Sequence, residues 1–358
     1  MSDSEDRRIL IAPLNWGLGH ATRCIPLIRY LDERGYRVIL ASSGAALRLL
    51  RAEFPHLPFE ELPSYRIRYL HTNIWLNILP RLPRILWAIW REHRAVRRIV
   101  REQEICGVIS DNRYGCFVPG IPSVILCHQL NLPLRPRFLA RLADWFHHLA
   151  LSRFSEIWIP DFEGANNLSG DLSHSNRRRR KVKFIGILSR MRRREAELEY
   201  DAAIVLSGPE PQRSILEHML VEQAIALPLR TIIIQGKTRA RQHYFAEEHV
   251  EVASYLTSEE LNGCLAASKV IVCRSGYSSL MDLAALGKKA LLIPTPGQGE
   301  QEYLARYLSG KTGFAYQPQD RLNLGEGLQR VAELPAPNPD DYPTNYFEQP
   351  LAEWLSRL

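Results

Sequence analysis

The sequence predicts an α/β protein with two Rossmann-like domains, whose parallel sheets face a central cleft. Three observations support this prediction. Short apolar strands alternate with helical segments along the whole chain. Its 358 residues, 46% of them hydrophobic, suffice for two domains of ordinary size. Polar or glycine-rich turns follow several of the strands, and open parallel sheets bind ligands beyond the carboxyl ends of their strands.

The distribution of charge differs between the two halves of the chain. The formal net charge is +7, made up of +8 over residues 1–160, +4 over 161–199 and −5 from residue 200 onward. This asymmetry suggests that the first half meets an anionic surface, either membrane headgroups or nucleic acid. We expect a first domain, a basic linker, a second domain and a tail ending in a short helix, at 1–160, 161–182, 183–334 and 335–358.

The spacing of the cysteines and the N-terminal residues indicate the cellular compartment. None of the six cysteines is spaced as a CxxC pair, so we expect buried thiols rather than disulfides or a zinc site. The first eight residues are polar, with no apolar stretch behind them that resembles a signal peptide. No run of about 18 uncharged apolar residues predicts a spanning helix. We therefore expect a cytoplasmic protein.

The first domain begins with a buried strand at 8–13 and a turn that contains Gly17, Gly19 and His20. The two glycines allow a tight turn and a close approach of the backbone to a ligand. A helix at 21–34 and a strand at 37–41 complete a βαβ start. His20 has two interpretations, a residue that caps or packs against the helix and a group that faces the cleft for chemistry.

Two further strands of the first domain lead into polar clusters. The strand at 107–110 precedes Asp111 and three further polar candidates, Asn112, Arg113 and Tyr114. The strand at 123–127 precedes a second set of candidates, His128, Gln129 and Asn131. Because both clusters follow carboxyl ends of strands, we expect them to face the same cleft as His20. A helix near 137–151 and a strand at 156–159 end this domain.

The stretch 65–103 combines tryptophans with nine arginines and only two acids. Arginines recur at helical spacing on one stripe, and apolar residues recur on another. The helix is either packed into the core with a solvated arginine face, or it lies in the headgroup plane of an anionic membrane. The residues that would make the membrane contact are Trp87, Trp90, Arg84, Arg91, Arg94 and Arg98. A run with ten basic residues and no acid, 177–194, is either a solvated linker or a second lipid contact.

Residues 268–301 carry the densest signal in the second domain. An apolar strand at 270–273 runs into Ser275 and Gly276, a helix follows, and a second strand at 290–293 completes a βαβ unit. Ser279 and Asp282 are one helical step apart and can share a face. A helix N-terminus offers free amides to an anion, and a nearby acid suits ribose hydroxyls. The unit therefore predicts a nucleotide site.

This segment resembles the donor-binding segment of the MurG-type enzymes, the family 28 glycosyltransferases of the GT-B fold. The match covers 34 residues without a gap, with Asp282 where the family has Glu and Glu302 where it has Gln. The first domain adds a Gly-rich loop ending in His20. The resemblance implies that this domain takes the acceptor, with an acceptor-side set of Gly17, Gly19, Asn112, Arg113, Tyr114, His128, Gln129 and Asn131. The family's His-Glu-Gln-Asn occurs as His128, Gln129, Leu130 and Asn131, without the Glu.

The resemblance implies further donor-side residues. Arg190 stands where the family places an arginine near the donor diphosphate, and Tyr255 and Leu256 match a pair that flanks the uracil; core packing is the alternative for that pair. Gly208 is kept from the family's phosphate loop, but Pro209 and Pro211 remove two amide donors. The expected donor-binding set is Arg190, Gly208, Tyr255, Leu256, Ser275, Gly276, Ser279, Asp282, Gln301 and Glu302. The resemblance also implies a terminal helix that returns to the first domain.

The predicted function is that of an inverting hexosyltransferase. It would move a sugar from a UDP-sugar, with UDP-N-acetylglucosamine as the candidate donor, to a lipid or glycolipid acceptor. His20 is the first candidate for the general base, and Asp111 is the second, as an orienting or basic carboxylate. No DxD motif is present, so no obligatory metal or other cofactor is expected. The enzyme would act at the inner face of the cytoplasmic membrane as a peripheral protein.

Two alternatives fit the same sequence. A UDP-sugar epimerase of the GT-B fold would need neither a separate acceptor nor a membrane surface. A non-catalytic lipid-binding protein could have kept the fold without the chemistry. A nucleic-acid partner is disfavoured, because the basic stretch lacks aromatic residues interleaved as a stacking platform.

Overall fold

The chain folds into two compact units. The computed structural model describes residues 7–65, 82–131, 145–174, 181–237, 242–311 and 313–358. The first unit comprises Met1–Ser189 with Thr344–Leu358, and the second comprises Arg190–Pro343. Each unit contains a seven-stranded sheet with helices between its strands. The predicted α/β class with two Rossmann-like sheets is confirmed.

The sheet of the first unit is parallel throughout, in the order β3-β2-β1-β4-β5-β6-β7. The chain builds outward from β1 to β3 and then returns to the other side of β1, so the strand order reverses between β1 and β4. Its strands are β1 Arg8–Pro13, β2 Arg37–Ser42, β3 Phe59–Glu61, β4 Ile105–Asp111, β5 Ser123–Leu126, β6 Glu156–Ile159 and β7 Val182–Phe184.

Three long helices accompany this sheet: α1 Gly19–Glu33, α2 Gly44–Glu53 and α3 Leu82–Glu102. The apolar positions expected in α1, Ile25, Ile28 and Leu31, are fully buried. One side of α3 packs into the core through Val96, Ile99 and Val100, which meet strand residues of β1, β2 and β4. Residues 145–151 are also helical, and the rest of the helix predicted near 137–151 lies outside the described residues.

The segment predicted as a basic linker is part of the first unit. The sequence analysis assigned residues from 183 onward to the second domain, but β7 pairs with β6 as the edge of the first sheet. The preceding loop is held by Asp161, whose buried carboxylate accepts hydrogen bonds from the amides of Leu168 and Ser169. A polar segment can therefore pack closely, because its own amides bind a buried acid. Residues 175–180, which include the predicted arginine run, lie outside the described residues.

The second sheet has the order β10-β11-β9-β8-β12-β13-β14. Only the edge strand β10 is antiparallel, and the sequence analysis did not predict it. The order reverses between β8 and β12, as it does between β1 and β4 in the first sheet. Its strands are β8 Tyr200–Val205, β9 Thr231–Ile234, β10 His243–Glu247, β11 Val250–Ala253, β12 Ser268–Cys273, β13 Lys289–Leu292 and β14 Phe314–Tyr316.

In the second unit, an apolar core built on β8, β9, β11, β12 and β13 packs against the helices Gln212–Ile225 and Leu324–Glu333. The helix α6 ends at Gly287, whose φ of +65° is the left-handed conformation that glycine adopts without strain. The helices are α4 Gln212–Ile225, α5 Ser258–Ala266, α6 Tyr277–Leu286, α7 Gly299–Leu308 and α8 Leu324–Glu333.

The last helix, α9 Glu348–Leu355, packs within the first unit. Trp354 meets Trp158 edge-on at 5.9 Å between ring centroids. A Cβ on Gly107 would lie 2.5 Å from the Trp354 ring, so a glycine in β4 makes room for this contact. Arg7 also donates a hydrogen bond of 3.0 Å to the carbonyl of Leu355.

Candidate functional site

The reversal of strand order in the first sheet positions the turn that follows β1. Gly17 in this turn has a φ of +85°, a conformation that favours glycine. The turn carries the chain from β1 into α1, and His20 lies in the first turn of that helix. The amide of Leu14 donates to the carbonyl of Asp111 at 3.0 Å, which joins the ends of β1 and β4. His20 and Asp111 therefore come from the two strands between which ligands bind in open sheets.

Asp111 forms a buried ion pair with Arg23, a residue that the sequence analysis missed. Both carboxylate oxygens accept from the guanidinium, with Nε donating to Oδ2 at 2.6 Å and Nη2 donating to Oδ1. Neither side chain is appreciably exposed. Burial alone would raise the pKa of Asp111, but Arg23 and His20 outweigh it and hold the pKa well below its usual range. Asp111 is therefore a poor proton acceptor, and it is suited to orient its neighbours.

His20 is held by this ion pair. Its Nδ1 atom lies 3.0 Å from Asp111 Oδ1 and 3.0 Å from Arg23 Nη2. Burial lowers the pKa of His20, and the attraction of Asp111 offsets that effect only in part. The imidazole is therefore neutral near pH 7. When Nδ1–H donates to Asp111, Nε2 carries the lone pair, and this atom makes no hydrogen bond to any residue of the described ranges.

The segment after β5 contributes His128, whose Nδ1 lies 3.0 Å from Arg23 Nη1. Arg23 thus contacts the two histidines and the carboxylate predicted for this edge. Asn131 donates from its side chain to the carbonyl of Asp171 at 2.7 Å, and the carbonyl of Gln129 accepts from His147 at 2.9 Å. These bonds fix the backbone that carries His128.

Arg113 is a correction to the predicted acceptor-side set. Its side chain is fully buried, and its Nε donates to Glu92 of α3 at 2.6 Å. Its Nη2 donates to the carbonyl of Pro63 at 2.7 Å. A guanidinium without exposed surface cannot bind an acceptor, so Arg113 has a structural role. Asn112 and Tyr114 flank it; both are half-buried, and Tyr114 contacts His147 at 3.1 Å through its hydroxyl.

The helix α3 presents the predicted membrane residues on its exposed side. Trp87 and Trp90 are 57% and 51% exposed. The guanidinium of Arg91 lies 4.7 Å from the Trp87 ring centroid, and that of Arg94 lies 4.8 Å from the ring of Trp90. Arg84 and Arg98 are also exposed, and Arg98 pairs with Glu102 at 3.7 Å. The helix thus packs into the core on one side and exposes tryptophans with arginines on the other.

In the second unit, Ser275 and Gln301 hold the βαβ loop together. The hydroxyl of Ser275 donates to the carbonyl of Gln301 at 2.8 Å, and Oε1 of Gln301 accepts from the amide of Thr295 at 2.8 Å. Ser275 is fully buried, whereas Gly276 caps the N-terminus of α6. Glu302 accepts from the amide of Gly297 at 3.0 Å. Hydrogen bonds within the loop therefore engage the hydroxyl of Ser275, the carbonyl and Oε1 of Gln301, and one carboxylate oxygen of Glu302.

The other donor-side residues surround the same carboxyl edge. Ser279 and Asp282 are half-buried on α6, and Tyr255 and Leu256 are half-buried after β11. Nη1 of Arg190 donates to the hydroxyl of Ser258 at 2.8 Å, at the start of α5. Gly208 follows β8 with a φ of +103°. These residues belong to one unit, and their ligand-binding roles stay predictions.

Arg274 is the second residue whose importance the sequence analysis did not identify. It directly follows β12, at the start of the turn into α6, and its guanidinium is buried among backbone carbonyls. A signal was available for both missed arginines. Arg23 follows His20 by three residues on one helix, so the two side chains share a face. Arg274 directly precedes the Ser275-Gly276 turn that marked the nucleotide site.

No helix in the described part of the chain is long and apolar enough to cross a membrane. No group of three or more potential metal-ligating side chains comes together among those residues.

The second unit matches a known domain family. Residues 215–345 match the model of the glycosyltransferase family 28 C-terminal domain. This match makes the chain similar to the MurG-like family 28 glycosyltransferases. One similar protein is the UDP-N-acetylglucosamine--N-acetylmuramyl-(pentapeptide) pyrophosphoryl-undecaprenol N-acetylglucosamine transferase of Nitrosospira multiformis. It is 24% identical over 330 residues, which cover 87% of this chain and 86% of the relative.

A shorter match at higher identity involves the enzyme of the same name from Desulforudis audaxviator. It is 39% identical over 85 residues, or 23% of this MurG-like chain and 22% of the relative. Solved structures extend the likeness to the whole fold. The MurG of Acinetobacter baumannii aligns with a TM-score of 0.61 at 12% identity, covering 98% and 99% of the two chains. The glycotransferase of kitacinnamycin aligns with a TM-score of 0.65 at 14% identity, covering 98% of each chain. The predicted GT-B fold is confirmed.

Proposed function

We propose that this MurG-like protein is an inverting hexosyltransferase that uses a UDP-sugar, with UDP-N-acetylglucosamine as the candidate donor. The acceptor is a hydroxyl of a lipid or glycolipid at the inner face of the cytoplasmic membrane. The second unit takes the donor and the first unit takes the acceptor. The names of the relatives support both substrate classes.

The observation that carries the proposal is the arrangement of His20. A neutral imidazole is held at Nδ1 by a buried Asp111–Arg23 pair, at the reversal of strand order in the first sheet. A general base needs a pKa near or below the operating pH and a fixed orientation. The ion pair supplies the orientation, and burial supplies the pKa. Asp111 itself is too acidic for the role, so we assign the base to His20 and an orienting role to Asp111.

The donor side is supported by the βαβ unit of the second unit. The N-terminus of α6 at Gly276 suits a phosphate group, because its amides and helix dipole favour an anion. Asp282, further along this helix, is proposed to accept hydrogen bonds from the ribose hydroxyls. Tyr255 and Leu256 would contact the uracil. Glu302 replaces a glutamine of the family and would contact the sugar, so it would influence which sugar is used.

The proposed reaction is a single displacement. The acceptor O–H loses its proton to His20 Nε2 while its oxygen bonds to the anomeric carbon from the face opposite the leaving group. The bond between that carbon and the diphosphate oxygen breaks, and UDP leaves with the electron pair. The configuration at the anomeric carbon therefore inverts. The negative charge that develops on UDP would be stabilised by the N-terminus of α6 and by Arg190.

Access to a membrane-held acceptor is proposed through α3. Its exposed tryptophans and arginines match the pattern of a helix that lies at the headgroup level of an anionic surface. Trp145 and Phe146, which the sequence analysis did not single out, add 58% and 50% exposed rings to the first unit. A peripheral contact of this kind would bring a lipid acceptor to the first unit.

The proposal is tested by incubating the full chain with UDP-N-acetylglucosamine and other UDP-sugars, with and without a bacterial lipid extract. We expect UDP release and transfer of sugar to lipid only when the extract is present. Conversion of one UDP-sugar into its epimer without extract would indicate the epimerase instead. Binding of lipid with neither product would indicate a non-catalytic protein, and both outcomes contradict the transferase.

A further inference from the structure

Two buried polar atoms without a hydrogen-bond partner lie beside Gly208 in the second unit. They are Nε of Arg274 and the hydroxyl oxygen of Thr295. The two residues are 1% and 2% exposed. A Cβ on Gly208 would lie 3.4 Å from the Thr295 oxygen and 3.8 Å from Arg274 Nε. Because glycine has no side chain, the protein itself places no hydrogen-bonding group at this position beside the two atoms.

The remaining contacts of Arg274 do not neutralise its charge. Nη1 donates to the carbonyls of Ile293 at 3.2 Å and Pro294 at 3.0 Å, and Nη2 donates to the carbonyl of Gln212 at 2.9 Å. Within the described ranges, no carboxylate pairs with this guanidinium. Burial lowers the pKa of Arg274 to about 10, so the group remains charged at neutral pH. Buried charges in proteins are ordinarily paired, and an unpaired guanidinium is therefore suited to an incoming anion.

The start of α4 adds a second feature that favours an anion. This helix has 14 residues and begins at Gln212, next to the carbonyl that Arg274 binds. Helix N-termini attract anions through free amides and the helix dipole. Glu210 already lies near the start of the helix, where it binds Arg213 at 2.7 Å and the amide of Ser214 at 3.3 Å. None of the contacts of Glu210 reaches Arg274.

The loop itself offers few amide donors. Pro209 and Pro211 have no N–H, so two of the three residues between Gly208 and Gln212 cannot donate to a phosphate. A loop that binds phosphate usually does so with successive amides. In this chain, the guanidinium of Arg274 and the hydroxyl of Thr295 lie beside the loop that lacks those amides.

We propose that Gly208, Arg274 and Thr295 form an oxyanion pocket for one phosphate oxygen of the donor diphosphate. This inference rests on the proposed function, because it takes the ligand to be a nucleotide diphosphate. Arg274 Nε and the Thr295 hydroxyl donate to the same oxygen. The pocket fixes the diphosphate and stabilises the charge that UDP carries when it leaves.

The test uses calorimetry on the full chain with three probes, uridine, UDP and inorganic pyrophosphate. Thr295→Val keeps the shape of the side chain and removes only the unpartnered hydroxyl. A hydrogen bond to a charged group corresponds to about tenfold or more in affinity. We expect Thr295→Val to weaken UDP and pyrophosphate by about that factor and to leave uridine unchanged. Arg274→Gln should have the larger effect, and its melting temperature shows whether it is folded.

The matched control is Thr231→Val, which removes a buried threonine hydroxyl from β9 of the same sheet. That hydroxyl already donates to the carbonyl of Leu229 at 3.0 Å, so UDP affinity should not change. A folded Thr295→Val with the wild-type ratio of UDP to uridine affinity overturns the pocket and leaves the proposed function standing. Pyrophosphate binding that depends on Thr295, without preference for uridine nucleotides, supports the pocket and contradicts the UDP-sugar assignment. A wild-type protein that binds none of the probes overturns both.

Discussion

Each sheet has a buried arginine near the point where its strand order reverses, and the two arginines differ in their hydrogen-bond partners. In the first unit, Arg23 bonds to both oxygens of Asp111, and His20 and His128 complete the cluster. In the second unit, Arg274 is equally buried, but its bonds go to neutral carbonyls and its Nε has no partner. The first cluster is electrostatically complete without a ligand, and the second becomes complete only when an anion arrives.

Under the proposed function, this difference assigns the chemistry to the first unit and the binding of the diphosphate to the second. A base must be oriented before the substrate arrives, and a satisfied ion pair provides that rigidity. A phosphate site must instead offer donors that nothing in the protein occupies. Net charge alone would have assigned anion binding to the basic first half of the chain. The buried arginine without a carboxylate partner, Arg274, lies instead in the acidic second half.

The largest expected effect tests the first cluster. His20→Ala should reduce turnover by about 10² to 10⁴, the usual range for loss of a general base. UDP affinity and melting temperature should stay near wild type, because the proposed role of the His20 side chain is to take the acceptor's proton at Nε2, not to bind UDP. His56→Ala is the matched control, since His56 is an exposed histidine of the same unit that pairs with Asp32. Full turnover in His20→Ala, or failure of that variant to fold, would contradict the assignment.

The pH dependence of the wild-type enzyme provides a separate check on His20. Burial lowers its pKa from the ordinary value of 6.5, with Asp111 opposing and Arg23 and His128 adding to the decrease. Because the base must be unprotonated, kcat/KM should rise with pH through an apparent pKa below 6.5 and then level off. An acidic limb centred above 6.5 would show that another group carries the proton.

The next effect concerns the stability of the first cluster. Arg23→Met leaves Asp111 as an unpaired buried carboxylate, and breaking such a pair costs about 3–5 kcal/mol of unfolding free energy. The double variant Arg23→Met/Asp111→Leu removes both charges and should be more stable than Arg23→Met alone. Urea unfolding of the four proteins in the cycle measures the coupling. If the two single effects simply add, the ion pair is not what holds this cluster together.

The low pKa of Asp111 gives these measurements a pH signature. Its folded pKa lies below the unfolded one, so the unfolded state binds more protons as the solution becomes acidic. The stabilisation is fully present above the unfolded pKa and is lost as the pH falls through the folded value. Arg23→Met should lose this acid-sensitive part of its stability, because the partner that depresses the pKa is gone.

The sequence predicted the fold because strands and helices are encoded by local patterns. The strands β1, β2, β4 and β12 are short apolar runs that end at glycine or polar turns, and their positions followed from periodicity and turn residues. The edge strand β7 was not assigned to the first sheet, because Lys183 and the basic run that precedes the strand resemble a solvated linker. Its place in the sheet depends on pairing with β6, which sequence periodicity does not report.

The candidate site residues divide in the same way, into those that local sequence reveals and those that only the folded chain reveals. His20 and Asp111 were found because each follows a strand. The contact of Arg23 with His128, 105 residues away, exists only in the folded chain. Arg113 was assigned to the acceptor because it lies in a polar cluster, but Glu92 of α3 reaches it in the core. The unpaired state of Arg274 is likewise a property of three-dimensional packing.

A smaller effect is expected at the ribose contact of the second unit. Asp282→Ala should weaken UDP binding at least tenfold, since a hydrogen-bonded carboxylate contributes about 1.5–3 kcal/mol. Glu333→Ala, which removes an exposed acid from the end of α8, is the control and should leave the affinity unchanged. Calorimetry on folded variants measures both. An unchanged affinity in Asp282→Ala would remove this residue from the nucleotide site and leave the oxyanion pocket as a separate question.

The smallest expected effects concern the surface of the first unit. Each basic residue near an anionic membrane contributes about 1 kcal/mol, which is about fivefold in partitioning. Arg91→Gln alone should therefore weaken sedimentation with anionic vesicles about fivefold. Changing Arg84, Arg91, Arg94 and Arg98 together to Gln should abolish the binding. Vesicles of neutral lipid should bind weakly even to the wild-type protein.

A matched control decides whether the position or merely the number of arginines matters. Arg230, Arg306, Arg321 and Arg330 are exposed on the second unit, and changing these four to Gln alters the net charge equally. If α3 is the contact, this control should keep its vesicle binding. Salt separates the electrostatic part from the apolar part, because the Debye length falls to about 3 Å at 1 M. Binding that persists in salt should then depend on Trp87 and Trp90, whose exposed rings can enter the headgroup layer. Equal losses in both quadruple variants would mean that the membrane senses only total charge, and wild-type protein left in the supernatant at low salt would favour a soluble acceptor.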